Sequence, residues 1–370
     1  MDDKFLINSQ REASYLLRGG EFGSIAEFDL FSAEILSKYI NDEKRIKDIV
    51  SCKSFAFEVM FIKWIKGTVY EDFIDFFFKN LRVALEYHKD EIRAFYAEFD
   101  LQIHEALVSY QDSAALADTT HLENRRTIIK LGFSSLGEIV ESSLYPQLQL
   151  VYRILTCSKE SSLYGNKTNF SNGKVVSELI DSSDVMDAVL KTLLRGIPLN
   201  QWRNISNHSS YKYNKNSDSI FCEYGTNNNS SITLKYEDFF ELFKSIDCIQ
   251  ILLKTCLELS SIELEVKKDV TTDDEHYELT IESIMSQIGN ILAVLNYDVL
   301  GVDKILNQWK IKITDVRSLG KAKFRELGNE LIPYFICMYK VHGVMMELEI
   351  FDTKGRTFQK MSLGDYSKIK

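Results

Sequence analysis

Only three prolines, Pro146, Pro198 and Pro333, interrupt the 370 residues of this chain. Proline removes a backbone donor and clashes with the preceding helical turn, so a chain this poor in it is free to build long helices. The apolar spacing says that it does. From about Ser24 to Ser113, apolar residues recur three and four apart, as Phe28, Phe31, Ile35 and Leu36 and again as Phe73, Phe77, Leu81, Ala84 and Leu85. That period marks amphipathic helix. With 45% hydrophobic and 26% charged residues, the chain can bury a sizeable core, which excludes disorder for its bulk.

A chain of this length is expected to hold two or three domains, and polar breaks suggest where they part. The stretch from Tyr110 to His121 reads as a linker closing a helical N-terminal region, 1–121. A second region, 122–260, carries Ser134 and Ser135 as a helix cap ahead of Leu136, Ile139 and Val140. Pro146 then starts or kinks the following helix, and the Ser-, Asn- and Gly-rich stretch 158–174 reads as loop. Helical spacing resumes over 175–180 and 185–194; Gly196 ends that helix and Pro198 opens another. Beyond His208, the alternating segments 220–224 and 232–236 read as a β-hairpin around the Asn-rich loop 225–231, followed by a strong helix over 237–259. The remainder, 261–370, reads as a small α+β domain: strands at 262–266 and 309–313, helices over 281–295 and 324–339, and a hairpin of 344–351 with 356–361 closed at Asp352 to Gly355. The expected fold class is mainly α, a helical bundle with an inserted β-hairpin, preceded by a helical region and followed by the α+β domain.

The formal net charge of −10 excludes a generic DNA-coating protein, though not a local basic face. Six scattered cysteines without a Cys-x-x-Cys pair fit neither a zinc ribbon nor a disulfide scaffold. The first residues lack a basic segment followed by an apolar core, so no signal peptide is expected. The most apolar stretches, 55–78 and 331–346, are each broken by charge and read as no membrane span. The expected location is the cytoplasm. No Walker A, His-Glu-x-x-His, EF-hand or dinucleotide-binding glycine motif occurs. Gly132 and Gly137 are spaced wrongly for a nucleophile elbow, and Asp273 to His276 reads as a solvated loop rather than a metal site. No metal and no cofactor is expected.

One segment stands apart: Arg203-Asn-Ile-Ser-Asn-His208, preceded by Pro198-Leu-Asn-Gln-Trp202. An Arg followed a turn or so later by a His is a cheap pattern, and Arg82 and His88 form a second instance inside an amphipathic helix. The later instance differs in context. A cluster of Arg203, Asn204, Asn207 and His208 at a helix end suits core packing poorly and a solvent-facing site well. Metal-free RNA cleavage needs a group that takes the 2′-OH proton, an acid for the leaving 5′-oxygen and a cation for the phosphorane charge. Histidine serves the first two roles, a fixed guanidinium the third, and Asn orients either partner. Five residues apart, Arg203 and His208 sit about 140° around an ideal helix, so one helix presents them poorly to one phosphate. The plainer alternative stays open: His208 terminates a helix and Arg203 binds a neighbouring carboxylate.

The stretch from Pro198 to Tyr211, with the hairpin and the Tyr236-Glu-Asp-Phe239 helix start, resembles the HEPN superfamily. The likeness covers about residues 122–260. It implies a helical bundle in which the Arg-x4-His motif marks a metal-independent endoribonuclease, paired as a homodimer that pools two such motifs. The activity implied is cleavage of cellular RNA by 2′-OH attack, as a toxin or antiphage (abortive-infection) effector. Arg203 would bind the scissile phosphate, His208 act as acid or base, Asn204 orient one of them and Asn207 assist. An antitoxin or a defence-system partner is the implied regulator. The rival reading is a non-catalytic HEPN-like scaffold or sensor module. A further reading rests on 304–325, where seven basic residues, among them Lys310, Lys312, Lys321, Lys323 and Arg325, face the single acid Asp315 around Trp309. A basic segment holding one aromatic is a candidate nucleic-acid contact.

Overall fold

The computed structural model describes residues 7, 25–52, 55–116, 124–158, 170–225, 229–264, 281–315, 320–352 and 354–362. The chain is mainly helical with two small sheets. In order it forms α1 (Ile25–Leu36), α2 (Glu43–Cys52), α3 (Ala56–Trp64), α4 (Val69–Leu116), α5 (Arg125–Glu138), a π-helical turn (Ile139–Leu144), α6 (Tyr145–Cys157), α7 (Asn172–Ser182) and α8 (Asp184–Asp187). A second π-helical turn (Ala188–Thr192) leads to α9 (Leu199–Asn207), β1 (Tyr211–Asn214), β2 (Ser219–Tyr224), β3 (Ser230–Lys235) and α10 (Tyr236–Glu263). The rest is α11 (Ile281–Val294), β4 (Tyr297–Ile305), β5 (Gln308–Asp315), α12 (Gly320–His342), β6 (Met345–Phe351) and β7 (Thr357–Ser362). Among the described residues no helix is long and apolar enough to cross a membrane.

The chain divides into two units, Ile65–Val266 and Met1–Trp64 with Lys267–Lys370. This grouping differs from the three consecutive regions expected at 121/122 and 260/261. The reason is α4. Its Phe95 and Phe99 carry the Arg153 guanidinium of α6 on their ring faces, at 5.2 and 4.8 Å, and Glu98 pairs with the same group at 2.7 Å. Arg93 Nε donates to the Leu264 carbonyl at 3.0 Å, and the Tyr96 and Ser260 hydroxyls share a hydrogen bond. These contacts tie α4 to the helices that follow it, and the helix runs through Leu116, so the linker expected from Tyr110 starts no earlier than residue 117. The only non-helical backbone inside α4 is at His88 (φ −134°, ψ 29°), whose Nδ1 lies 3.2 Å from Glu91.

Within this central unit α5 begins ten residues before the expected cap. Asn124 Oδ1 accepts the Arg126 N–H at 3.0 Å, while Ser135 is buried inside the helix. From α5 the chain passes through the first π-helical turn directly into α6, with Pro146 in the first turn of α6. A wider turn ahead of a residue without an N–H keeps the helix path continuous where a regular turn would lose a bond. Arg195 and Gly196, at φ 62° and 74°, end the segment after the second π-helical turn, as the glycine suggested. The expected hairpin is a three-stranded antiparallel sheet, β1-β2-β3, with Tyr211 opposite Cys222 and Cys222 opposite Ile232. The strand expected at 262–266 is helical at Ile262 and Glu263, where α10 closes against Arg93 and Tyr96; residues 265 and 266 lie outside those described.

The other unit holds α1–α3 and a four-stranded sheet of order β4-β5-β6-β7. β5 and β6 are parallel and joined by α12; the outer pairs are antiparallel. Ile288, Ile311, Ile313, Leu331, Phe335 and Leu348 belong to its fully buried core. The β6–β7 turn closes on Asp352, which accepts the N–H groups of Lys354 and Arg356, both at 2.9 Å.

Candidate active site

Helix α9 is anchored by one face. Leu199, Trp202, Ile205 and Ser206 are buried, and Trp202 Nε1 donates to the Leu194 carbonyl at 2.9 Å. The Ser206 hydroxyl donates to the Phe133 carbonyl of α5. The two helices meet where Gly137 has no side chain: a Cβ there would lie 2.5 Å from Asn207 Oδ1 and closer still to Ser206 Oγ. The glycine spacing that fails as a nucleophile elbow is thus a packing device, and Asn207, although exposed, lays its amide toward α5.

The opposite side of α9 carries the polar cluster. Arg203 Nε donates to Glu141 Oε2, which projects from the first π-helical turn, and Arg203 Nη1 lies 3.3 Å from Asn204 Oδ1. The Arg203 side chain is 29% exposed and that of Glu141 40%. A pair this open to water contributes about 0–1 kcal/mol, so its effect is to orient the guanidinium rather than to hold the fold. Tyr145, four residues beyond Glu141, is buried beside them. Burial pushes its phenol up to about 12; the Arg203 charge pulls it down and the Glu141 charge adds to the rise.

His208 closes the helix. Its N–H donates to the Asn204 carbonyl at 3.0 Å with φ −93° and ψ 3°, and Ser209 turns left-handed at φ 51°. The Ser210 N–H reaches back to the Ile205 carbonyl at 2.9 Å. The imidazole is exposed, and among the described residues it makes no hydrogen bond or ion pair. The structure therefore gathers Arg203 and Asn204 with two residues that sequence reasoning did not single out, Glu141 and Tyr145. It does not bring His208 or Asn207 into that group. The only trace of Glu141 and Tyr145 in the sequence is their four-residue spacing in Glu141-Ser-Ser-Leu-Tyr145, just ahead of Pro146. Both halves of the plainer alternative are present: His208 terminates the helix, and Arg203 binds a carboxylate.

The basic segment of the other unit lies on the solvent-facing side of β5 and on α12. Lys310 is 3.7 Å from Glu347, Lys312 is 2.7 Å from Asp303, and Lys304 stacks over Trp309 at 4.1 Å. Cross-strand acids thus offset the charge of the strand. Lys321, Lys323 and Arg325 fall in the first turns of α12, and their side chains lie outside those described. Among the described residues no three His, Cys, Asp or Glu side chains cluster as a ligand set; residues 273–276 are outside them. No known family, curated protein or solved structure matches this chain.

Proposed function

We propose that the protein is a metal-independent endoribonuclease of HEPN type, cleaving cellular RNA as a toxin or antiphage effector. The observation that carries this reading is an exposed, unpaired imidazole ending the same short helix that holds an oriented, solvent-reaching guanidinium. Arg203, aligned by Glu141 and Asn204, binds the scissile phosphate and stabilises the charge that develops on it. A neutral His208 takes the proton of the 2′-OH as its oxygen bonds to phosphorus. The bond to the 5′-oxygen breaks, and an imidazolium protonates that leaving oxygen. The products are a 2′,3′-cyclic phosphate and a 5′-OH. One chain sets Arg203 and His208 about 140° apart, so the active species is a homodimer in which one copy's His208 faces the other copy's Arg203.

Incubation of the purified protein with total RNA in EDTA, followed by mapping of fragment ends, tests this. Wild type is expected to release cyclic-phosphate ends, and His208→Ala, folded as wild type, to release none. Retained cleavage in His208→Ala ends the assignment. The Arg203–Glu141 pair also favours a second reading, a non-catalytic HEPN-like scaffold in which the pair is structural. Under the first reading, expression of wild type arrests growth and expression of Arg203→Ala does not. Under the second, neither arrests growth and Glu141→Gln alters only stability.

A further inference from the structure

We infer that the outer face of the β1-β2-β3 sheet is a stacking platform for single-stranded RNA centred on Phe221; this rests on the ribonuclease reading and names how its substrate is held. Strand alternation sends Tyr211, Tyr213, Ile220, Cys222 and Leu234 inward and their neighbours outward. The outward set is polar, Lys212, Ser219, Glu223, Thr233 and Lys235 among it, with one exception. Phe221, in the middle strand, is 37% exposed, directly between Lys212 on β1 and Thr233 on β3. A large ring at the centre of a polar sheet face gains little for the core, and more than a third of it is open to solvent. Every nucleobase has a face to stack on such a ring, whatever the sequence.

Charge selects the occupant. Lys212 and Lys235 lie on the same face, and Lys215 follows β1; among the described residues none of the three ammonium groups pairs with a carboxylate, the Lys235 backbone N–H alone donating to Asp238, at 3.1 Å. In the other sheet Lys310, Lys312 and Lys360 are each paired with a carboxylate, and Lys304 is stacked over Trp309. Unpaired cations around an exposed ring suit a polyanion with aromatic bases better than an apolar peptide. A duplex buries its base faces, so the ring selects single strands.

Position links the platform to the site. Lys212 is four residues from His208, at most about 14 Å along the chain, and Phe221 is its cross-strand partner. The sheet is fixed to α9 rather than tethered to it. The Gly225 N–H donates to Gln201 Oε1 at 3.0 Å, the Glu223 N–H to the Ser210 carbonyl at 2.9 Å, and Tyr211 stacks on Phe133 with ring centroids 4.0 Å apart. A base held on Phe221 therefore fixes the strand a few nucleotides from the exposed imidazole.

The test uses the full chain with His208→Ala, so that RNA survives, and a fluorescein-labelled mixed-sequence single-stranded RNA of about 12 nucleotides, long enough to cross a single-strand stacking surface, read by anisotropy. Phe221→Ala is expected to weaken binding about 5- to 100-fold, and Phe221→Trp to retain it. Lys212→Gln with Lys235→Gln weakens it and flattens the salt dependence. Equal affinity of Phe221→Ala and its parent, with matching thermal unfolding, overturns the platform, as does tighter binding of a duplex of the same sequence. The two readings fail separately. Cleavage lost in His208→Ala with binding indifferent to Phe221 refutes the platform and leaves the nuclease. Phe221-dependent binding by a wild type that cleaves nothing refutes the nuclease and leaves the platform.

Discussion

Replacing Gly137 by alanine tests whether α9 is held where the structure puts it. The new Cβ falls against Ser206 Oγ, 2.5 Å from Asn207 Oδ1 and 3.1 Å from Ser206 Cβ. Asn207 is exposed and its amide can swing away. Ser206 cannot: it is buried, and its hydroxyl is engaged with the Phe133 carbonyl. Overpacking of this kind costs about 1–3 kcal/mol, and displacing the buried hydroxyl about 1 kcal/mol more. Alanine's better helix propensity returns about 1 kcal/mol. The net loss is about 1–3 kcal/mol, or a Tm lower by about 2–12 °C for a unit of this size. Trp202 is fully buried in the central unit, whereas Trp64 and Trp309 belong to the other. Thermal unfolding followed by tryptophan fluorescence in a Trp64→Phe, Trp309→Phe background therefore reads the right unit. Ser206→Ala combined with Gly137→Ala should recover at least about 0.5 kcal/mol beyond additivity. A Gly137→Ala protein as stable as its parent, or more so, would show that α5 and α9 do not approach this closely, and the placement of Arg203 against Glu141 would go with it.

Two further outcomes follow from buried and half-buried groups of the same unit. Gln250 Oε1 accepts from Ser143 Oγ at 2.8 Å and from Gln147 Nε2 at 3.0 Å, so Gln250→Leu leaves buried donors short of an acceptor. A loss of about 1–3 kcal/mol is expected in urea unfolding; an unchanged midpoint refutes the network. Stability should also fall at alkaline pH. Burial pushes the Cys222 thiol up to about 12 and those of Cys157 and Cys248 to about 11, from 9.0, and the phenols of Tyr70 and Tyr145 to about 12, from 10.0. Raised values favour the protonated form in the fold. Their contribution is complete below about pH 9 and is lost as pH rises toward 12. Tm measured from pH 7 to 12 under reducing conditions should be level and then decline, less steeply in Cys222→Ala. A level Tm throughout contradicts the burial of these groups.

Much of the fold was legible because it depends on period. Apolar spacing along α4 and α10, the alternation in β2, β3 and β6, and the Asp352 turn are local patterns, and each element stands close to where its pattern lies. The misreadings came where a side chain's use depends on a distant partner. Ser134 and Ser135 looked like a cap, yet Ser135 is buried within α5 and Asn124 does the capping. Tyr211-Lys-Tyr-Asn214 fell outside the expected hairpin, but it pairs with β2 as β1, and Tyr211 stacks on Phe133. The strand β4 was missed among short mixed residues that pair only because β5 lies beside them.

The site divides in the same way. Sequence alone determined that this is a helix-dominated chain and that Arg203, Asn204, Asn207 and His208 stand at the end of a short helix, since proline scarcity, apolar period and the Gly196–Pro198 punctuation act within a few residues. Tertiary structure decided what that helix end faces. Only folding placed Glu141 on Arg203, turned Asn207 toward Gly137, left the His208 imidazole open, and set Phe221 on the outer face of a sheet. Those outcomes join residues dozens of positions apart, and which of them meet depends on how closely α5 and α9 pack and on a π-helical turn that no local pattern announces.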